Sequence, residues 1–318
     1  MLVIALRGCL VLLAICGFVG VAQAGCTTSS GAMTFTPSSS YDVLGGAVQS
    51  VSGSAGLACT GSTLSLLGGS YARATITSAN GFKLSAGGTD TIPFQVSADA
   101  NGTVVFTQGS TVDYMSASLL SLLGIGGASN FTAPLYAKLT ASPNVAAGTY
   151  TDTLTVQWNY SICNGIQIGP ICVGYEAGTT TSVITVTLVV GRDCRISAPN
   201  VSFGSAPLVT QFSQVAQAAL IDCTKGSTYK VSFSSGQNGS ARPWRAMTDG
   251  AGHSLQYNIY RSDGVTIWDE TNPLTGQGPG TGLTVPSQMQ NYVARINAAQ
   301  TPPLAGSYTD TVSVIVTF

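Results

Sequence analysis

Apolar and polar residues alternate along several stretches of this chain, and the clearest stretch runs to its last residue. Tyr308, Asp310, Val312, Val314, Val316 and Phe318 fall on one face, while Thr309, Thr311, Ser313 and Thr317 fall on the other. Period two is the mark of a β-strand with one buried face. A related phrase occurs earlier: Ala-Gly-Thr-Tyr-Thr-Asp-Thr-Leu-Thr-Val at 147–156 matches Ala-Gly-Ser-Tyr-Thr-Asp-Thr-Val-Ser-Val at 305–314. In the earlier copy Tyr150, Leu154, Val156, Trp158, Tyr160 and Ile162 share a face, and a following run puts Ile184, Val186, Leu188 and Val190 on one face. Shorter strands are expected at 33–35, 56–60, 71–76, 92–96 and 103–107, then at 201–204, 219–224, 229–233 and 255–260. Gly, Asn, Asp and Pro turns separate them. The pattern predicts an all-β protein of two related sandwiches in tandem. One segment, 114–123, suits a helix.

Composition supports export and argues against several kinds of chemistry. Met1 to Ala24 has Arg7, an apolar run over 9–21 and Ala22-Gln23-Ala24, which reads as a secretory signal with its cleavage site. Cleavage there would leave Gly25-Cys26 in front. Cys26 as a lipoprotein cysteine is the alternative, although Gln23 stands where such signals carry an aliphatic residue. The expected division is 1–24 signal, 25–190 first domain and 191–318 second domain. Of 8 cysteines, Cys9 and Cys16 lie in the signal; the other six, in an exported chain, imply disulfides. Six cysteines allow 15 pairings, which sequence does not choose between. The repeat aligns Cys26 and Cys59 with Cys194 and Cys223, leaving Cys163 and Cys172 for each other. Charged residues make up 8% of the chain and the net charge is −1, so no basic patch exists for nucleic acid. His253 is the single histidine, beside Gly250-Ala251-Gly252, and reads as a turn residue. Asp269-Glu270 precedes Asn272-Pro273 and reads as a solvated turn. There is no Gly-x-Ser-x-Gly elbow, phosphate loop or His-rich metal spacing. No catalytic residue, cofactor or metal is expected.

The second half carries a more specific pattern: Cys194, Val201-Ser202-Phe203-Gly204, Cys223-Thr224-Lys225-Gly226, Tyr229, Ser235-Gly236, Arg242, Met247, Leu255-Gln256-Tyr257-Asn258-Ile259-Tyr260, Ile267-Trp268 and Gly306-Ser307-Tyr308-Thr309-Asp310-Thr311-Val312. In this it resembles the spore coat protein U domain family, which includes subunits of archaic (Csu-like) chaperone–usher pili. The first half matches more loosely, through Cys26, Cys59-Thr60 and Gly148-Thr149-Tyr150-Thr151-Asp152-Thr153. The resemblance implies two immunoglobulin-like β-sandwich domains, the second an incomplete pilin fold lacking its last strand. A periplasmic pilus chaperone would insert a strand beside Val312, Val314, Val316 and Phe318. At the outer-membrane usher, the next pilus subunit would then replace it with a donor strand. With only Gly25 ahead of Cys26, the mature chain would accept a strand but have none to give, placing it at the extracellular pilus tip. The run 184–190 would then serve the first domain in cis.

A tip adhesin would bind through loops of its first domain. Three segments mix apolar residues with glycine: Leu64, Leu66 and Leu67; Leu119, Leu120, Leu122, Leu123 and Ile125; and Ile166, Ile168 and Ile171 between Cys163 and Cys172. By the resemblance these would attach to an abiotic or cell surface and support biofilm formation. Two alternatives stand beside this: a glycan-binding tip, with Tyr114, Phe131, Tyr136 and Tyr175 as stacking candidates, and a structural spore or cyst coat protein.

Overall fold

The computed structural model describes residues 25–60, 69–124, 130–168, 171–238, 243–283 and 288–318, with backbone alone for 164–168. The first half forms β1 (Gly25–Thr28), β2 (Gly31–Thr34), β3 (Ser38–Ser39), β4 (Val51–Thr60), β5 (Tyr71–Ser78), β6 (Lys83–Ser85), β7 (Thr91–Ser97), β8 (Val105–Phe106), β9 (Thr111–Asp113), β10 (Asn130–Leu139), β11 (Gly148–Ile168) and β12 (Ile171–Gly191). Two short helices interrupt it, α1 (Ser40–Leu44) and α2 (Ala117–Leu123). The second half forms β13 (Cys194–Ser197), β14 (Val215–Cys223), β15 (Thr228–Phe233), β16 (Arg245–Thr248), β17 (Ser254–Arg261), β18 (Leu274–Gln277), β19 (Met289–Ile296) and β20 (Val314–Thr317). Each half packs around its own apolar core.

In the first sandwich β1, β4, β10 and β7 form one sheet, and β11 lies between β5 and β12 in the other. Alternation drives the packing: Tyr150, Leu154, Val156, Trp158 and Ile162 of β11 are buried, as are Ile184, Val186, Leu188 and Val190 of β12. β12 runs antiparallel to β11 and parallel to β2, with Ile184 opposite Gly31 and Val186 opposite Met33. It therefore bridges the two strands that would otherwise be edges. Trp158 donates through Nε1 to the Ala55 carbonyl at 3.2 Å, and the Ser182 hydroxyl reaches the same oxygen at 2.8 Å. The close approach requires glycine next door. Gly56 has φ +92°, and a Cβ there would lie 2.5 Å from the Ser182 side chain, a contact only a residue without a Cβ avoids.

The second sandwich sets a five-stranded sheet, β13-β14-β19-β17-β16, against a three-stranded one, β18-β15-β20. Phe233 packs edge-on against Trp268 at 4.8 Å and Tyr292 at 5.2 Å, a favoured arrangement of ring quadrupoles. Trp268 donates to the Val231 carbonyl at 2.8 Å. The run 201–204 was expected as a strand and is not one. Its counterpart in the first half holds Met33 and Phe35, each the same distance past its opening cysteine as Val201 and Phe203. Met33 lies in β2, which pairs with β12, and Phe35 follows directly, its amide donating to the Thr187 carbonyl of β12. The second half has no equivalent of β12 among the described residues, so this ladder is missing.

The two sandwiches meet at a polar joint. Tyr41 of α1 donates to Asp222 Oδ2 at 2.8 Å, the Ser40 and Thr224 hydroxyls meet at 2.7 Å, and Lys225 reaches Asp90 at 2.5 Å. Asp222 is fully buried but well supplied, since it also accepts from the Gly280 and Gly282 amides and from Gln288. Burial, then the hydrogen bond to Asp222, pushes the Tyr41 phenol up from its ordinary pKa, so it stays a donor. The α1 helix is started by a reciprocal pair, Ser39 with Asp42, a capping box.

Candidate functional site

The clearest incomplete feature is the edge of the second sandwich. β20 pairs with β15 on one side, from Val316 opposite Val231 to Val314 opposite Phe233. No strand pairs with its other side among the described residues. Between that edge and the 201–203 segment lies a cleft of about 310 Å³, floored by Phe233, Tyr257, Ile259 and Tyr292 and walled by Val201, Phe203, Val312 and Val314. The walls are only half-buried, and Phe318 is 54% exposed. An unpaired row of backbone groups beside an apolar slot is the arrangement that accepts an added strand.

One carboxylate holds this edge in place. Asp310 accepts from Tyr257 Oη at 2.7 Å, Gln237 N at 2.9 Å and Asn238 Nδ2 at 3.1 Å. Burial, then the bond to Asp310, pushes the Tyr257 phenol up. Asp152 does the same work in the first sandwich, accepting from Ser78 Oγ at 2.5 Å and Asn80 N at 3.0 Å. The shared Tyr-Thr-Asp-Thr phrase thus ties each strand to the loop after its neighbour.

At the far end of the first sandwich β11 and β12 run on beyond β5, whose pairing stops at Tyr71 opposite Ser161. This two-stranded ribbon is crossed by the Cys163–Cys172 disulfide. Ile171 (64%) and Val173 (66%) are exposed on it. The backbones of Ile166 and Ile168 pair with Val173 and Ile171, and their side chains lie outside the description. Leu64, Leu66, Leu67 and Ile125 also fall outside the described residues. The helical segment corrects one expectation. Leu119 and Leu120 are 1% exposed and Leu123 packs on the core, while Leu122 points outward at 44%. A helix puts residues three and four apart on one face, so Leu119, Leu120 and Leu123 form the inner stripe of α2. Tyr114 and Phe131 are likewise core residues, with Tyr114 donating to the Pro134 carbonyl at 2.6 Å.

The remaining bridges join Cys26 to Cys59 and Cys194 to Cys223. A lipid thioether on Cys26 would need the same sulfur. His253 sits in the β16–β17 turn, with Nδ1 2.6 Å from Asp249 Oδ2. Sequence reasoning missed the joint around Asp222. An acid inside the apolar run Leu220-Ile221-Asp222-Cys223 was the available signal, because such a position is tolerated only when its carboxylate is satisfied. It also missed Val173 as an apolar surface residue.

Comparison with known proteins follows the same lines. The spore coat protein U domain model matches the chain twice, over residues 17–157 and 180–315. A solved CsuC–CsuE chaperone–tip adhesion subunit pre-assembly complex, from archaic chaperone–usher Csu pili of Acinetobacter baumannii, is similar at 26% identity and TM-score 0.60, covering 92% of this chain and 100% of that one. The CupB6 tip adhesin from Pseudomonas aeruginosa matches at 11% identity and TM-score 0.30, covering 84% of this chain and 85% of that one, too distant for inference. No curated protein sequence matches. The chain belongs to the spore coat protein U domain family, and its sandwiches share the pilin-like, immunoglobulin-type fold of the Csu tip subunit.

Proposed function

We propose that this spore coat protein U family chain is the tip adhesin of an archaic chaperone–usher pilus. In this reading residues 1–24 direct export, 25–190 form the adhesin domain and 191–318 the pilin domain. The chain passes through the periplasm bound to a chaperone, reaches the usher and ends outside the cell at the pilus tip. The observation that carries the reading is one phrase in two environments. The strand after Tyr150 is buried between β5 and β12, whereas the strand after Tyr308 has β15 on one side and an open apolar cleft on the other. A donor strand from the chaperone, and then from the next subunit, fills that cleft. Fully burying a Val or Phe side chain is worth about 1.5–3 kcal/mol, so several half-buried walls supply a strong drive for strand addition.

Attachment to surfaces falls to the ribbon carrying Ile171 and Val173, with Leu122 as a second apolar point. Each contact is small and association costs take most of its energy, so adhesion and biofilm formation depend on many pili acting together.

The test is periplasmic co-expression with the cognate chaperone and purification on a chaperone tag. A one-to-one complex is expected, and Val314→Asp with Val316→Asp abolishes it. A chain that is soluble and stable alone and ignores the chaperone overturns the reading. In the complex, Ile171→Ser with Val173→Ser is expected to abolish adhesion to plastic without lowering Tm, because both side chains are already in solvent.

A further inference from the structure

The outer face of the β4–β10–β7 sheet carries a second, chemically different depression. It measures about 330 Å³ and is bounded on one side by the loop at Gln49 and on the other by the turn at Asn101 and Gly102. Along β10 the residues Leu135 and Ala137 turn inward and are buried, so Tyr136 and Lys138 face out. Across the ladder Ser97 stands opposite Tyr136 and Gln95 opposite Lys138. The half-exposed Tyr136 ring therefore forms the floor, with the Gln95 and Asn101 amides at one rim and Gln49 at the other.

The rim is held in place from beneath. Asp99 is buried and accepts from Asn101 N at 3.1 Å, Thr103 N at 2.9 Å, Val104 N at 2.7 Å and Thr103 Oγ1 at 3.0 Å. That fixes the turn and leaves no carboxylate lining the groove. Gly102 has φ +71°, and a Cβ there would stand 2.8 Å from the Gln95 amide nitrogen. Any side chain at 102 would push that amide out of the groove.

We propose that this groove is a saccharide subsite, separate from both the apolar ribbon and the open cleft. An aromatic face receives the C–H face of a sugar ring. Side-chain amides donate and accept at once, as paired hydroxyls require. A fixed turn lowers the ordering cost of binding. The volume lies at the low end for ligand pockets, about 300–1,000 Å³, and suits a terminal sugar. Lys138 favours an acidic one.

The experiment is an array of galactose-, N-acetylglucosamine- and glucuronate-terminated oligosaccharides, probed with the full mature chain, chaperone-bound where needed, followed by calorimetry on any hit. Binding is expected to fall at least tenfold in Tyr136→Ala and in Gly102→Val, to survive in Tyr136→Phe, and to be unchanged in Ile171→Ser with Val173→Ser. A Tm in Tyr136→Ala close to that of the unaltered chain, with binding retained in Tyr136→Phe, separates lost binding from lost folding. No bound sugar on the array, or binding indifferent to Tyr136→Ala and Gly102→Val, overturns the proposal. The outcome is independent of chaperone capture, so this site and the pilus reading stand or fall separately.

Discussion

The two sandwiches are built from one plan and finished differently. Each opens with a cysteine bridged to the strand it pairs with, and each carries Tyr-Thr-Asp-Thr at or just before a late strand, tied down by its aspartate. In the first half that strand continues into a hairpin, and β12 returns to cover both it and β2. In the second half the corresponding segments, 201–203 and 308–314, face each other across an unfilled cleft. Closely similar local sequence therefore does not by itself decide burial. Val156 and Trp158 are core because β12 exists; Val314 and Val316 are half-exposed because no strand among the described residues plays its part.

Ile184→Asp with Val186→Asp places two unpaired carboxylates at fully buried positions and is expected to cost more than about 4–5 kcal/mol. Limited proteolysis of the chaperone complex would then degrade the first sandwich and spare the second. A protease-resistant first half would show that β12 is not what closes it. Fusing a copy of 180–190 after Phe318 through a short Gly-Asn turn would instead close the second sandwich. Burying Val201 and Phe203 fully bounds the gain at a few kcal/mol, read as a raised Tm together with loss of chaperone binding.

The paired phenylalanines give a smaller contrast. Phe35→Ala, in a closed core, is expected to cost about 3–5 kcal/mol. Phe203→Ala should cost less than about 1.5 kcal/mol in the open chain and rise toward the larger value in the fusion, by urea denaturation of each. The smallest effect concerns the joint. The hydrogen bond from Lys225, with the Ala146 amide, holds the Asp90 carboxyl below its ordinary pKa despite some burial. A lowered folded-state pKa gives stability that is present above the unfolded value of about 3.9 and lost as pH falls through the folded one. Lys225 is partly exposed, so the contribution is about 0–1 kcal/mol. Asp90→Asn should remove that acid-side loss from a Tm-versus-pH curve and leave the neutral side slightly lower.

Alternation made the strands legible, and the repeat made the tandem plan legible, because both follow from period-two burial along one segment. The open cleft could be anticipated at the terminal strand for the same reason. The 201–204 run was misread as a strand because its residues suit a ladder whose partner strand no described residue supplies. Leu119, Leu120 and Leu123 were misread as loop residues because a seven-residue helix shows too few turns for this inner stripe to stand out from Leu122. The joint and the polar groove were invisible for another reason. Tyr41 with Asp222, and Gln95 with Tyr136, are brought together only by folding, and no spacing along the chain records it.

The passage from β12 through residues 192–193 into β13 also has a mechanical consequence. A pull on the second sandwich is delivered along the axis of β12, whose ladder with β11 runs from Val190 opposite Gly148 up to Ile171 opposite Ile168. Force in that direction shears many hydrogen bonds at once and does not peel them one by one. The Cys163–Cys172 cross-link at the far end keeps the two strands from sliding past each other. Rupture under load is governed by the unfolding rate, so a covalent stop at the end of the ribbon would slow mechanical unfolding even where it adds nothing to equilibrium stability.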